Sequence, residues 1–301
     1  MKKLDRILVG HDLNVGGDVA TRSAVGLAKR CGAQLRLVHV VEPYHLYQRL
    51  SHPFTTVYQT EDLVQLAGEQ LRGRTASEEE RFPHVEYEVR VGKPFVELIL
   101  AGRAWSADLV VVGGSAHGEG HILGSTSERV IRKAPVPVLV LKQPLAPGPM
   151  TVLVPTDFSA CATKAAEEAH ALVQHFGGRL FFFHALKSSV PYAAGFGAAG
   201  DFAPTLPLLT PAALEGEWDH FLSGPPWLSH IAWDRETKDG HPVSLIAEEV
   251  DRQGADLIVM GTHGRTGVPH MLLGSVAEGV VRNASCPVLT IRPDAFQFEL
   301  P

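Results

Sequence analysis

Cysteine is scarce in this chain. Three thiols, Cys31, Cys161 and Cys286, are spread over 301 residues. So few, scattered and odd in number, they exclude a disulfide framework, and each reads as a buried free thiol beside an apolar segment. Long apolar runs are absent too: none approaches the roughly 18 residues a membrane span needs. No membrane span is therefore expected. There is no surplus of basic charge. Lys and Arg number 27 against 33 Asp and Glu, a formal net charge of −6, which excludes a general nucleic-acid binder. The opening MKKLDRILVG enters a strand pattern within a few residues and lacks the apolar core of a secretory signal. A reducing, cytoplasmic location is expected. No Ser/His/Asp or Cys/His nucleophile arrangement can be picked out.

What is present is an ordinary globular composition, 45% hydrophobic and 20% charged, at a length suited to two domains. The chain also repeats itself. RILVGHDLN, residues 6–14, resembles TVLVPTDFS, residues 151–159, so that Asp12 falls on Asp157 and, in the same register, His39 on His184. EVRVGKP matches ETKDGHP, and ADLVVVG matches ADLIVMG, with Asp108 on Asp256. LGSTSERVIRKAPVPVLVLK matches LGSVAEGVVRNASCPVLTIR, with Gly124 on Gly274. The offset runs 145, 148, 150, which means two copies of one domain with short indels. The join falls in the Pro/Gly-rich QPLAPGPM, giving domains at 1–143 and 150–294.

In each copy, short Val/Leu/Ile runs alternate with helical stretches. Continuous rather than alternating apolar strands imply a sheet covered on both faces. Each copy is therefore expected to be a doubly wound α/β domain with a five-stranded parallel sheet flanked by helices. Ligands in such folds sit beyond the C-terminal ends of the strands, where the strand order reverses.

A glycine-rich stretch falls at that place in the second copy: Gly261-x2-Gly264-x9-Gly274-Ser275, between the run ADLIVM and the helix SVAEGVVRNA. It is either a plain connection or a seat for an anion. Glycine lets backbone N–H groups approach a phosphate. The first amides of the following helix lack intrahelical partners and carry the positive end of its dipole. Ser275 is placed to cap that helix and offer its hydroxyl, and Arg265 and Arg282 add positive charge. No GK[ST] follows, so this is not a Walker loop.

These residues carry a resemblance. Both halves are similar to universal stress protein domains, and the G-x2-G-x9-G-[ST] pattern resembles that of the family's ATP-binding branch. The resemblance implies two tandem adenine nucleotide alpha hydrolase-like domains. It implies ATP, AMP or ADP as ligand, with or without Mg2+, held mainly in the second half. By that resemblance Pro155, Thr156 and Asp157 line the adenine and ribose side, and Ala185 offers backbone hydrogen bonds to adenine. Gly261 and Gly264 approach ribose and phosphates, Gly274, Ser275 and Val276 take the phosphates, and Met260 and Arg265 are further cofactor-binding candidates. The family further suggests a regulatory role in stress tolerance and a pairing of the final strands, which in a tandem chain makes an intrachain pseudo-dimer. A homodimer of whole chains is a further possibility.

The first copy departs from the pattern. Gly113 to Gly124 spans eleven positions where Gly261 to Gly274 spans thirteen, and no alignment places all three glycines. The shorter loop is expected to leave less room, so that Asp12, Val40, Gly113, Gly114, Gly124 and Ser125 form at most a weaker site. The loop histidines His117, His121, His263 and His270 are read as solvated and no metal site is expected, since four-residue spacing suits a metal only on a helix. His39 and His184 are read as structural groups flanking the pockets. The acidic runs SEEER and EEVDR are expected to face solvent. VPYAAGFGAAGDFAPTLPLLTP, residues 190–211, is read as a loop or a lid. Without a general base beside the loop, the chain is expected not to be an enzyme, with at most slow ATP hydrolysis. The rival function is a binding or scaffold protein for an apolar metabolite or a protein partner, with vestigial nucleotide sites.

Overall fold

A computed structural model describes residues 4–42, 60–114, 124–186, 210–223, 228, 230–265 and 273–293. The first half runs β1 (Arg6–Gly10), α1 (Val15–Cys31), β2 (Gln34–Val41), α2 (Thr60–Arg81), β3 (Val85–Val91), α3 (Pro94–Ala104), β4 (Leu109–Gly113), α4 (Ser125–Lys133) and β5 (Val138–Leu141). The second half repeats it: β6 (Met150–Pro155), α5 (Ala160–Phe176), β7 (Gly178–Leu186), α6 (Pro211–Ser223), β8 (Ala232–Asp239), α7 (Pro242–Gln253), β9 (Leu257–Gly261), α8 (Ser275–Asn283) and β10 (Val288–Ile291).

Local chemistry sets several of these boundaries. Ser159 caps α5, its side chain accepting the Ala162 N–H at 3.2 Å. Pro94 and Pro242 open α3 and α7, where a missing N–H costs nothing. Gly32 and Gly254 close α1 and α7 in the left-handed conformation.

Within each half the five strands are parallel, in the order β3-β2-β1-β4-β5 and its counterpart β8-β7-β6-β9-β10. The two sheets are not separate. β5 and β10 pair antiparallel, Leu139 opposite Leu289, and make one ten-stranded sheet. A short, wholly buried edge strand on each half leaves main-chain groups that only another strand can satisfy. Thr290 adds a hydroxyl bond to Val138 O across the seam.

Helices cover both faces. α1, α2, α5 and α6 pack on one core, α3, α4, α7 and α8 on the other. α2 and α6 lie in the segments where the two copies do not match. The acidic runs are not wholly solvated: Glu78 and Glu249 are buried. Glu78 lies 3.6 Å from both Arg22 and Arg81, and Glu249 pairs with Lys238 and Arg252. The three cysteines are free, Cys161 and Cys286 buried and Cys31 half-buried. Among the described residues no helix is long and apolar enough to cross a membrane.

Candidate functional site

In each half the strand order turns back between the first and fourth strands, and a cavity opens at their C-terminal ends. The second-domain cavity measures about 350 Å3, and every second-half candidate from Pro155 to Val276 lines it.

Its floor is built where β6 stops. Thr156 N–H donates to Phe183 O at 2.8 Å, the last rung of the β6–β7 ladder. In a parallel strand alternate residues bond to opposite neighbours. Phe183 faces β6, and Leu186 O takes the Gly240 N–H on the β8 side. Ala185 therefore turns its N–H and C=O toward the space β6 has vacated. His184 holds the turn: its Nδ1 lies 2.7 Å from Thr156 O and donates to it. Burial lowers the His184 pKa, against the opposing effect of that bond, so the ring is neutral with the proton on Nδ1. Phe158 stacks on the same ring at 4.5 Å and meets Trp218 edge-on at 4.9 Å.

Asp157 joins this turn to the glycine loop. One carboxylate oxygen accepts Ser159 N–H at 3.1 Å, and the other accepts Arg265 N–H at 2.9 Å. A carboxylate has about four acceptor positions, so two remain for a ligand. The Arg265 side chain pairs with Glu217 of α6 and lies over the Phe158 ring. The two ends of the loop are pinned together, Gly274 N–H donating to Thr262 O at 2.8 Å.

Several expectations change. Gly274, not Ser275, is the cap residue of α8. Its extended backbone fills that position, Ser275 begins the helix, and no side chain caps it. With the Gly274 amide already bonded, the amides open to an anion are those of Ser275, Val276 and Ala277. Gly261 lines the cavity, yet the need for glycine there comes from α5: an added Cβ would lie 2.8 Å from Cys161 Sγ and 3.1 Å from its backbone carbon. Arg282 is nowhere near the cavity. It sits in the last turn of α8, ion-paired with Glu128 and Glu278.

In the first domain the cavity is larger, about 490 Å3, and is lined by Asp12, Val40, Gly113, Gly124 and Ser125, but not by Gly114. The loop interiors, residues 115–123 and 266–272, lie outside the described residues; in the second domain the Arg265 amide holds the loop root to Asp157. Gly114 is turned aside: a Cβ there would lie 2.6 Å from Lys142 Cγ. Strand and helix ends match between copies, β4 on β9 and α4 on α8, so the two-residue difference lies inside the loop. Asn14 is the cap residue of α1, and Asp12 braces that turn, one oxygen accepting the Asn14 and Gly17 amides at 3.1 and 3.2 Å. His39 repeats the His184 bond, its Nδ1 2.7 Å from His11 O.

Sequence reading missed His11, which stands where the second copy has Thr156. Its buried Nδ1 accepts Leu13 N–H at 3.0 Å, as Thr156 Oγ1 accepts Phe158 N–H. Its Nε2 lies 3.3 Å from Asp18, which takes two bonds from Arg74. Burial lowers the His11 pKa more than the Asp18 and Asp12 charges raise it. The signal was the loss of a hydroxyl in an otherwise matching turn. Of the loop histidines, His263 lines the second-domain cavity; His117, His121 and His270 lie outside the described residues, as does residue range 190–209 of the lid candidate. Among the described residues no cluster of three His, Cys, Asp or Glu could hold a metal.

Comparison with known proteins matches this architecture. The family model described as the universal stress protein family matches residues 3–142 and again 149–292. A universal stress protein of Methanocaldococcus jannaschii is 34% identical over 47% of this chain and 81% of its own length. One from Mycolicibacterium smegmatis is 29% identical over 95% of this chain and 97% of its own. The crystal structure of a universal stress protein from Archaeoglobus fulgidus shares the fold, with a TM-score of 0.70 at 21% identity, covering 97% of this chain and 99% of that one. The repeat, the sheet order and the doubled family match agree: this chain belongs to the universal stress protein family, with two of its domains in tandem.

Proposed function

We propose that the chain is a stress-response regulatory protein that binds an adenine nucleotide, ATP or its mono- or diphosphate, mainly in the second domain. The observation that carries this reading is the convergence on one cavity of about 350 Å3 of four complementary features. These are the Ala185 main chain, the spare acceptor positions of Asp157, the loop root at Gly264, and the open amides at the start of α8. The volume falls in the ordinary range for small-ligand sites. Ala185 would pair with the base edge, Asp157 would accept ribose hydroxyls, and the Ser275, Val276 and Ala277 amides would hold phosphate oxygens at the positive end of the helix. Mg2+, when bound with the nucleotide, would neutralise phosphate charge. Rapid turnover is not expected, and occupancy itself is the signal. A ligand that prefers one loop arrangement shifts the population toward it.

Native mass spectrometry of the purified chain tests this directly, with thermal-shift titration by ATP, AMP and ATP plus Mg2+. At a hundredfold excess over Kd the stabilisation expected is about 2.7 kcal/mol. No adduct and no shift at millimolar nucleotide refutes the reading, and phosphate release at many turnovers per second refutes the regulatory assignment.

A second reading, binding of an apolar metabolite, has one feature in its favour. A groove of about 420 Å3 runs along the seam between the halves, lined by Leu27, Leu139, Leu172, Phe176 and Leu289. A lipid adduct without nucleotide in the same spectra would select it.

A further inference from the structure

Two cations cross the seam in opposite directions. Lys142 follows β5, and its Nζ donates to Arg282 O at 2.6 Å and Ala284 O at 3.2 Å, at the C-terminal end of α8. Arg292 follows β10 at the matching place in the repeat, and its Nη2 donates to Ile131 O in the last turn of α4. α4 and α8 are the two helices whose first turns face the two cavities. The last carbonyls of a helix lack intrahelical donors, and a cation there is favoured by the same dipole that favours an anion at the other end.

Each cation is also rooted under a glycine loop. The stem of Lys142 lies against Gly114, whose N–H donates to Leu141 O at 2.7 Å. In the second half Thr262 N–H donates to Ile291 O at 2.9 Å, beside Arg292. A ring of four charges locks the two helices side by side. Arg132 lies 2.9 Å from both Glu128 and Glu278, and Arg282 lies 3.0 and 3.1 Å from the same pair.

We propose that Lys142 and Arg292 are reciprocal positioning residues that couple the two cavities, each tying one domain's loop root to the far end of the other domain's phosphate-facing helix. This rests on the nucleotide reading above and adds regulation to it. α8 has nine residues, roughly 13 Å at 1.5 Å per residue, short enough to move as a rod. A displacement of the Gly114 root shifts the Lys142 stem, then the α8 C-terminus, then the amides at Ser275. Coupling of this kind is reciprocal, so a ligand in either domain alters affinity in the other.

The test is isothermal titration of the full chain with ATP plus Mg2+, comparing wild type, Lys142→Met, Lys142→Arg and Gly264→Val, with thermal unfolding midpoints recorded for each. Lys142→Met is expected to weaken binding roughly two- to fivefold, the range of one helix-end charge. Lys142→Arg is expected to restore it, since Arg292 serves the symmetric position. An unchanged Kd in Lys142→Met, with binding abolished in Gly264→Val, overturns the coupling and leaves the nucleotide reading standing. A loss that arginine does not rescue assigns Lys142 to general packing and also overturns it. No binding by the wild type overturns both.

Discussion

At position 264 glycine is demanded by a carboxylate. A Cβ there would stand 2.5 Å from Asp157 Oδ2, the atom that accepts the Arg265 amide. Gly264→Val should therefore lift the loop root off Asp157 and abolish the ATP thermal shift, while circular dichroism stays that of the wild type. A retained shift would separate the loop from the ligand. Lys142 is the other telling residue. Burial pushes its pKa down from 10.5 to about 8, with the Cys286 charge a smaller opposing influence. Between those values the unfolded chain holds a proton that the folded chain has released. The stability Lys142 contributes is thus lowest below pH 8, rises between 8 and 10.5, and is greatest above that window. Urea titrations of wild type and Lys142→Met at several pH values should show the difference moving in favour of the wild type across that window. A constant difference would place the amine in water.

Among the elements, β8 and α7 are joined by a charge that the sequence pattern assigned to solvent. Burial alone would raise the Glu249 pKa, but hydrogen bonds from Arg252 and Lys238, with their positive charges, outweigh it and hold the carboxyl below its ordinary 4.5. The stabilisation is complete above pH 4.5 and fades as pH falls through the lowered folded value. Removing one partner of a buried pair costs about 3–5 kcal/mol. Here Lys238 and Arg252 are 33% and 48% exposed, so water screens them and about 1–2 kcal/mol is expected for Glu249→Gln. Denaturant midpoints at pH 7 and pH 3.5 should show that gap narrowing in acid. α2 and α6 were illegible for a related reason. α2 buries Ala67, Leu71, Thr75 and Glu78 at helical spacing, a stripe with only one large apolar side chain. α6 buries just Trp218 and Phe221. Neither gives the apolar period by which a helix is read.

For the whole molecule the seam matters most. Ten strands share one sheet, and Leu139 and Leu289, paired at the seam, both lie in the core under α1, α2, α5 and α6. Calorimetry of the wild type should give a single transition, because each half's last strand completes the other's sheet edge. Leu289→Asp, which buries a charge at the seam, should split it into two, with the first-half transition persisting. One broad transition at lower temperature would mean that the halves stay coupled through the other seam contacts, the α4–α8 charge ring and the Lys142 and Arg292 bonds.

The amino-acid order by itself determined the duplication, the alternation of strands and helices, and the loop between β9 and α8. Each is a local pattern of apolar period or glycine spacing that needs no knowledge of neighbours. The second-half candidates beyond that loop came from the family resemblance and not from amino-acid order; the fold lines one cavity with them. Tertiary structure alone decided the rest. The pairing of final strands was implied by the family resemblance, but its antiparallel register, Leu139 opposite Leu289, was settled only in the fold, because edge pairing depends on which residue meets which. The fold sent Arg282 to the seam and not to the phosphates, because a helix of nine residues separates its two ends. And it made Gly261 a packing residue, because only the folded chain brings α5 within reach of that backbone.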